Sequence, residues 1–155
     1  MAKKSAGILL YRGKNEGWEV LLVHPGGPFF VKKDAGAWSI PKGEPDDREE
    51  LLAAALREFK EELGKTLSGE MINLTPVVQK GGKSVFAWAK EGDFDTSSFT
   101  CNTFTIEWPP RSGKFKDFPE IDKVEWFPLE VAMEKINPAQ RAFIDELFSH
   151  LSALK

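Results

Sequence analysis

Glu58, Glu61 and Glu62 lie within one helical turn of each other in the run Arg57-Glu58-Phe59-Lys60-Glu61-Glu62. At about 100° per residue, Leu52, Ala55, Leu56, Phe59 and Leu63 share one arc, and the three glutamates share the neighbouring arc. Like charges at i, i+3 and i+4 weaken an isolated helix by a few tenths of a kcal/mol per pair, on the order of 0.2–0.5. A divalent cation reverses that sign. Mg²⁺ takes oxygen ligands, keeps several waters and commonly bridges one or two carboxylates to substrate phosphates. The plain alternative is a solvated acidic face neutralised by Arg57 and Lys60.

The spacing around this run favours the chemical reading. Gly43 is followed by Glu49 and then by Arg57-Glu58-Phe59-Lys60-Glu61-Glu62-Leu63-Gly64, so a glycine, a glutamate and an Arg-Glu-x-x-Glu-Glu-x-Gly run recur at fixed intervals. This resembles the signature of the Nudix hydrolase family, and Trp38-Ser39-Ile40-Pro41-Lys42 is similar to the aromatic-x-x-Pro-Lys segment that precedes it in many members. Two positions depart from the pattern: Lys65 and Phe59 stand where aliphatic residues are usual.

The resemblance implies an α/β/α sandwich around a mixed β-sheet, formed as one domain over residues 1–155. It also implies hydrolysis of a nucleoside diphosphate linked to another moiety, by water attacking phosphorus. Mg²⁺, with Mn²⁺ able to stand in, would be held by Glu58, Glu61, Glu62 and the Gly43 carbonyl. The catalytic candidates are Glu61, Glu120 and Arg57, the last orienting Glu49 or Glu61 by bidentate pairing, or else forming a surface pair with Glu61. Glu120 enters because the family often places a further acid six residues before a late-strand tryptophan, here Trp126, where it would serve as base or complete the metal coordination; Asp122 competes for that role. Lys42 would meet a phosphate as a point charge. A nucleoside triphosphate or dinucleoside polyphosphate leads as substrate, with ADP-ribose or a nucleotide sugar next. A catalytically silent nucleotide-sensing module is the alternative of a different class.

These groups need elements to position them. Residues 5–11 and 18–24 read as a β-hairpin, and residues 25–37, rich in glycine, as a long loop. In that loop Phe29 and Phe30 offer base stacking, worth about 1–3 kcal/mol per base, or else pack onto the sheet. The helical pattern spans residues 47–63, with Asp46 or Asp47 as N-cap and Gly64 as left-handed C-cap; the resemblance would start it just after Glu49. Strands are expected at 71–79, 84–90, 99–108 and 124–127, with a turn at Gly81-Gly82 and a polar loop at 109–119. Residues 128–136 and 138–154 read as helices that begin near proline.

Composition bounds the rest. Lys+Arg of 21 against Asp+Glu of 24 gives a net charge of −3, which disfavours long nucleic acid and leaves a small nucleotide as the expected partner. No run approaches the roughly 20 apolar residues of a membrane span. Residues 6–11, behind Lys3 and Lys4, are shorter than a signal core of roughly 7–15 residues. With Cys101 as the single cysteine, a cytoplasmic setting is expected. Cys101 reads as a small buried residue, Trp18, Trp88 and Trp108 as core or sheet-face residues, and His24 as a satisfied structural histidine or one at the edge of the site.

Overall fold

The computed structural model describes residues 3–14 and 17–153. Strands β1 (Lys4–Lys14) and β2 (Gly17–Pro25) form the expected antiparallel hairpin, in register at Tyr11↔Val20. Both carry continuous apolar runs, which suit strands covered on both faces. Period-two alternation divides their side chains cleanly. Ile8, Leu10, Leu21 and Val23 join one core cluster, while Leu9, Tyr11, Val20 and Leu22 join the other.

The remaining strands are β3 (Lys42–Gly43), β4 (Ile72–Asn73), β5 (Val77–Val78), β6 (Ser84–Glu91), β7 (Thr103–Glu107), β8 (Phe115–Pro119) and β9 (Ile121–Pro128). The main sheet runs β4-β6-β1-β2-β9, with β3 attached to β1 and β5 to β6. It is mixed: β6 lies parallel to β1, whereas β2 is antiparallel to both β1 and β9. Helix α1 (Leu51–Leu63) covers one face through Ala54, Ala55, Phe59 and Leu63. Helices α2 (Leu129–Lys135) and α3 (Arg141–Ala153) cover the other, chiefly through Ala132, Phe143, Ile144 and Leu147. The layers are those of an α/β/α sandwich.

Several boundaries differ from the sequence reading. The long helix starts at Leu51, next to the start the resemblance implies and not at residue 47, because Arg48 adopts a left-handed φ of 65° and Glu49 N–H closes a turn onto the Asp46 carbonyl. Asp46 and Asp47 therefore do not cap it; Glu50 occupies the cap position without a side-chain bond. Gly64 does end the helix, at φ 83°. The run 71–79 splits into β4 and β5. Between them Pro76 has no N–H to donate, and Thr75 turns its N–H to Glu146 of α3 at 2.7 Å. The polar stretch 109–119 contains β8, paired with β7 as a separate ribbon. Its tip is closed by the Glu107 carboxylate, which accepts from the N–H groups of Arg111 and Gly113. The last helical segment opens as a 3₁₀ turn over Pro138–Gln140 before α3 begins; Leu154 lies outside the described residues.

Candidate active site

The site forms where β3 passes beneath α1. Gly7 lets β3 approach β1, since a Cβ there would stand 2.4 Å from the Pro41 carbonyl oxygen. The segment leading to β3 is held by the wholly buried Gln140, whose Oε1 accepts from Ile40 N–H at 3.1 Å. At Gly43 the neighbour is the end of a side chain instead of backbone. A Cβ on it would lie 2.1 Å from the Glu58 carboxyl carbon, so Glu58 rests directly on the Gly43 backbone.

Arg57 organises one side of the cluster. Its Nε and Nη2 donate to the two Glu49 oxygens at 2.9 Å each, the bidentate pairing foreseen for one of two glutamates. Its Nη1 donates to Glu58 at 2.9 Å and to Glu61 at 3.0 Å, and Nη2 also reaches the Glu44 carbonyl. The i,i+4 pair with Glu61 thus exists alongside the Glu49 pair. These guanidinium bonds, reinforced by the Asp46 N–H, hold the Glu49 carboxyl down at about 2.

Glu62 occupies the opposite condition. It is 9% exposed, and its Oε2 has no hydrogen-bond partner. Burial, then the charges of Glu58 and Glu120, push its carboxyl up to about 9, against the pull of Lys42, whose backbone N–H it accepts. Burial likewise raises Glu58, which Arg57 partly counters. Lys42 is pushed down, first by burial and then by Lys83, with Glu62, Glu44 and Glu58 opposing.

A cavity of about 160 Å³ brings Lys42, Glu62 and Glu120 together between walls that include Val23, Ile40 and Ile121. A larger one, about 530 Å³, lies beside β4 and β6 near Tyr11 and His150, and no residue of the acidic run lines it. Buried charge is concentrated in the smaller cavity, which makes it the candidate site. Glu120 is exposed at its rim, whereas Asp122 is committed elsewhere, its Oδ1 being 2.7 Å from His24 Nδ1. Gly26 N–H donates to the Glu120 carbonyl, and Glu120 N–H to that of Asn102, so β9, the 25–37 loop and the approach to β7 meet at this residue.

The donor set fits a hard divalent cation: carboxylates and a carbonyl, with one buried carboxylate oxygen left without a partner. Among the described residues no three acidic, histidine or cysteine side chains already converge into a cage. Glu58 and Glu61 are turned onto Arg57, and Glu62 accepts from Lys42.

Phe29 and Phe30 are exposed, at 55% and 37%, and neither belongs to a buried core cluster. Phe29 meets Trp108 edge-on with ring centroids 5.5 Å apart, and Lys33 lies over Phe30. Trp108, read from sequence as core or sheet-face, sits instead half-buried at the ribbon tip. Nothing in its local pattern signalled this, because the partner is 79 residues away in sequence. Cys101 is half-buried, its Sγ 3.4 Å from the Ile121 carbonyl. Phe59 fills its core position completely, edge-on to Phe94, and Lys65 directs its ammonium to the Asp93 carbonyl.

The family profile described as NUDIX domain matches residues 1–147. A curated relative from Mycolicibacterium smegmatis named 8-oxo-(d)GTP phosphatase is 31% identical over 101 residues, covering 64% of this chain and 26% of the relative. An RNA pyrophosphohydrolase from Novosphingobium aromaticivorans is 43% identical over 60 residues, covering 36% of each chain. The matched parts thus span 26% and 36% of the two relatives' lengths. The fold is similar to that of a C. elegans Ap4A hydrolase in a binary complex, with a TM-score of 0.65, 20% identity and coverage of 97% of this chain and 99% of that one.

Proposed function

Since the chain belongs to the NUDIX family, we propose that it hydrolyses a pyrophosphate bond in a nucleoside diphosphate linked to another moiety, with Mg²⁺ held by Glu58, Glu61, Glu62 and the Gly43 carbonyl. The observation that carries this reading is the buried Glu62, with one oxygen unpartnered, facing the cavity it shares with Lys42 and Glu120. A buried carboxylate is costly unless a partner answers it, and an oxygen-seeking dication is the partner this donor set suits. When bound, the ion would cancel the charge of the pyrophosphate and polarise its bridging oxygen.

The chain's own groups do the rest. Lys42 presents its ammonium to a phosphate oxygen from a partly desolvated position, where a point charge acts strongly. Glu120, exposed at the cavity rim, accepts the proton of the attacking water. As the water oxygen bonds to phosphorus the bridging P–O bond breaks, and the proton held on Glu120 passes to the released phosphate. Glu61, more exposed than Glu58 or Glu62, is the second catalytic candidate. Arg57 is saturated with Glu49, Glu58, Glu61 and the Glu44 carbonyl; it shapes the site without touching substrate.

For substrate, the activity named for the M. smegmatis relative favours a nucleoside triphosphate, and the compound named for the C. elegans neighbour favours a dinucleoside polyphosphate. The proposed setting is cytoplasmic, on the strength of the single cysteine. A hydrolysis screen with Mg²⁺ and with Mn²⁺, over triphosphates, dinucleoside polyphosphates, ADP-ribose and nucleotide sugars, tests the reading. Release of two phosphorylated products supports it. Binding without turnover of any of them would identify a sensing module instead.

A further inference from the structure

His24 is 1% exposed, and both of its ring nitrogens are engaged by separate segments. Nδ1 lies 2.7 Å from Asp122 Oδ1, and Nε2 lies 2.6 Å from the Lys33 carbonyl oxygen. A carbonyl only accepts, so Nε2–H donates to Lys33. The ring packs edge-on to Trp38 at 5.1 Å, and Trp38 in turn donates Nε1–H to Asp34 at 2.8 Å. Two hydrogen bonds and an aromatic contact leave the imidazole one orientation. That orientation fixes how Lys33 of the 25–37 loop sits relative to Asp122 of β9.

These two segments carry the groups assigned above to opposite halves of the reaction. Asp122 is two residues from Glu120, and Lys33 is three and four residues from Phe30 and Phe29. The β2–β9 register shifts between His24 and Pro25, so the regular ladder ends where the ring begins its work. At the loop's start there is no slack: Gly26 N–H donates to the Glu120 carbonyl at 2.9 Å, and a Cβ on Gly26 would stand 2.0 Å from the Pro119 carbonyl oxygen. The far part of the loop is tied to α2, where Gly36 N–H donates to the Glu134 carbonyl and Lys135 pairs with Asp34, and His24 supplies its tie to β9.

We propose that His24 is a positioning residue that couples the turn bearing Glu120 to the loop bearing Phe29 and Phe30, so that one buried ring registers the water-activating carboxylate against the substrate-gripping aromatics. The kinetic part of this proposal rests on the reaction proposed above; the structural part does not. A misplacement of about 1 Å at a reacting group can lower a rate on the order of 100-fold, so a loosened clamp is visible in turnover.

The test combines two readouts on His24→Asn and Asp122→Asn. Hydrogen exchange without substrate should rise in both 26–37 and 118–122 for His24→Asn, with α1 and α3 unchanged, and mainly in 118–122 for Asp122→Asn. In kinetics, His24→Asn should lower kcat about 10-fold and also raise KM several-fold, as expected when transition-state and uniform binding are both disturbed. Placed on Glu120→Gln, it should lower kcat by less than about 2-fold further, because the misplaced carboxylate is already gone. Exchange that rises evenly over the chain, or in neither segment, would overturn the clamp, as would a lower melting temperature with kcat and KM unchanged. If the wild-type protein hydrolyses nothing, the proposed reaction falls, while the exchange data still decide the coupling.

Discussion

Arg57 and Glu62 are five residues apart on one helix, and their surroundings are opposites. Around Arg57, charge is answered by charge: Glu49 takes the guanidinium fork with both oxygens, Glu58 and Glu61 share Nη1, and a backbone carbonyl takes part of Nη2. Around Glu62, a carboxyl is buried beside Glu58 and Glu120, Lys42 only partly offsets them, and one oxygen has no partner. A fold selected only for stability would fill the second corner as it fills the first, or make it apolar. Retaining an unanswered carboxylate there is the pattern of a site whose remaining partner is a ligand. In the proposed function, the Arg57 corner builds the frame and the Glu62 corner uses it.

The contrast breaks first at the acids. Glu61→Gln and Glu62→Gln should each reduce turnover about 100-fold or more with Mg²⁺, measured as kcat on the substrate found by screening. Neither side chain belongs to the apolar arc of α1, so the circular dichroism spectrum should be unchanged. Near-normal turnover would place the metal elsewhere.

Glu120→Gln should come next, at about 100-fold in kcat, against about 10-fold or less for Asp122→Asn, whose carboxylate is spent on His24. The reverse order would move the water-activating role to Asp122.

At the paired corner the expected effects are smaller and depend on acidity. The folded Glu49 carboxyl titrates at about 2, below its ordinary value of 4.5. Its ion pair therefore contributes stability that is fully present above about pH 4.5 and is lost as pH falls through 2. Glu49→Gln should lower the melting temperature at pH 6, and the gap from wild type should close on acidification toward pH 2. Arg57→Lys keeps the charge and loses the fork; it should lower kcat about 10-fold by letting Glu58 and Glu61 drift. The smallest chemical effect belongs to the loop: Phe29→Ala with Phe30→Ala should raise KM several-fold and change kcat less. A collapse of kcat at constant KM would contradict its assignment to substrate binding.

How much of this could be read from the sequence follows from the range of the interactions. The hairpin, α1 with its Gly64 cap, and the gathering of Glu58, Glu61 and Glu62 depend on periodicities of two and 3.6 residues within one segment, so they were legible. The bidentate role of Arg57 was legible as a choice between Glu49 and Glu61, and the structure shows bonds to both. What was not legible depends on distant partners. The pattern alone distinguishes neither Glu62 from Glu61, yet one is buried against Lys42 and the other is exposed. Strand β8 was hidden in a polar stretch because its partner β7 defines it, and the break between β4 and β5 depends on Glu146 from α3. Of the two helix starts the sequence offers, the one just after Glu49 matches the observed Glu50 cap, and the one suggested by the aspartates is too early because the left-handed turn at Arg48 has no glycine to announce it. Asp122 competes with Glu120 in the sequence, and only the structure shows that His24, 98 residues away, claims it.

The central claim is that Glu62 is held at a cost which a divalent cation relieves, and a thermal-shift comparison of wild type and Glu62→Gln across pH, with and without Mg²⁺, tests it most directly. The folded Glu62 carboxyl titrates at about 9 against an ordinary 4.5, so the metal-free fold favours the protonated form. The penalty is absent below about pH 4.5 and grows as pH rises toward 9. Metal-free Glu62→Gln should therefore match wild type near pH 4.5 and melt higher by about 3 °C or more at pH 8.5, since 1 kcal/mol shifts a domain of this size by roughly 2–4 °C. Mg²⁺ should raise the wild-type melting temperature at pH 8.5 and leave that of Glu62→Gln unmoved. Parallel pH curves with equal Mg²⁺ shifts in the two proteins would contradict the account.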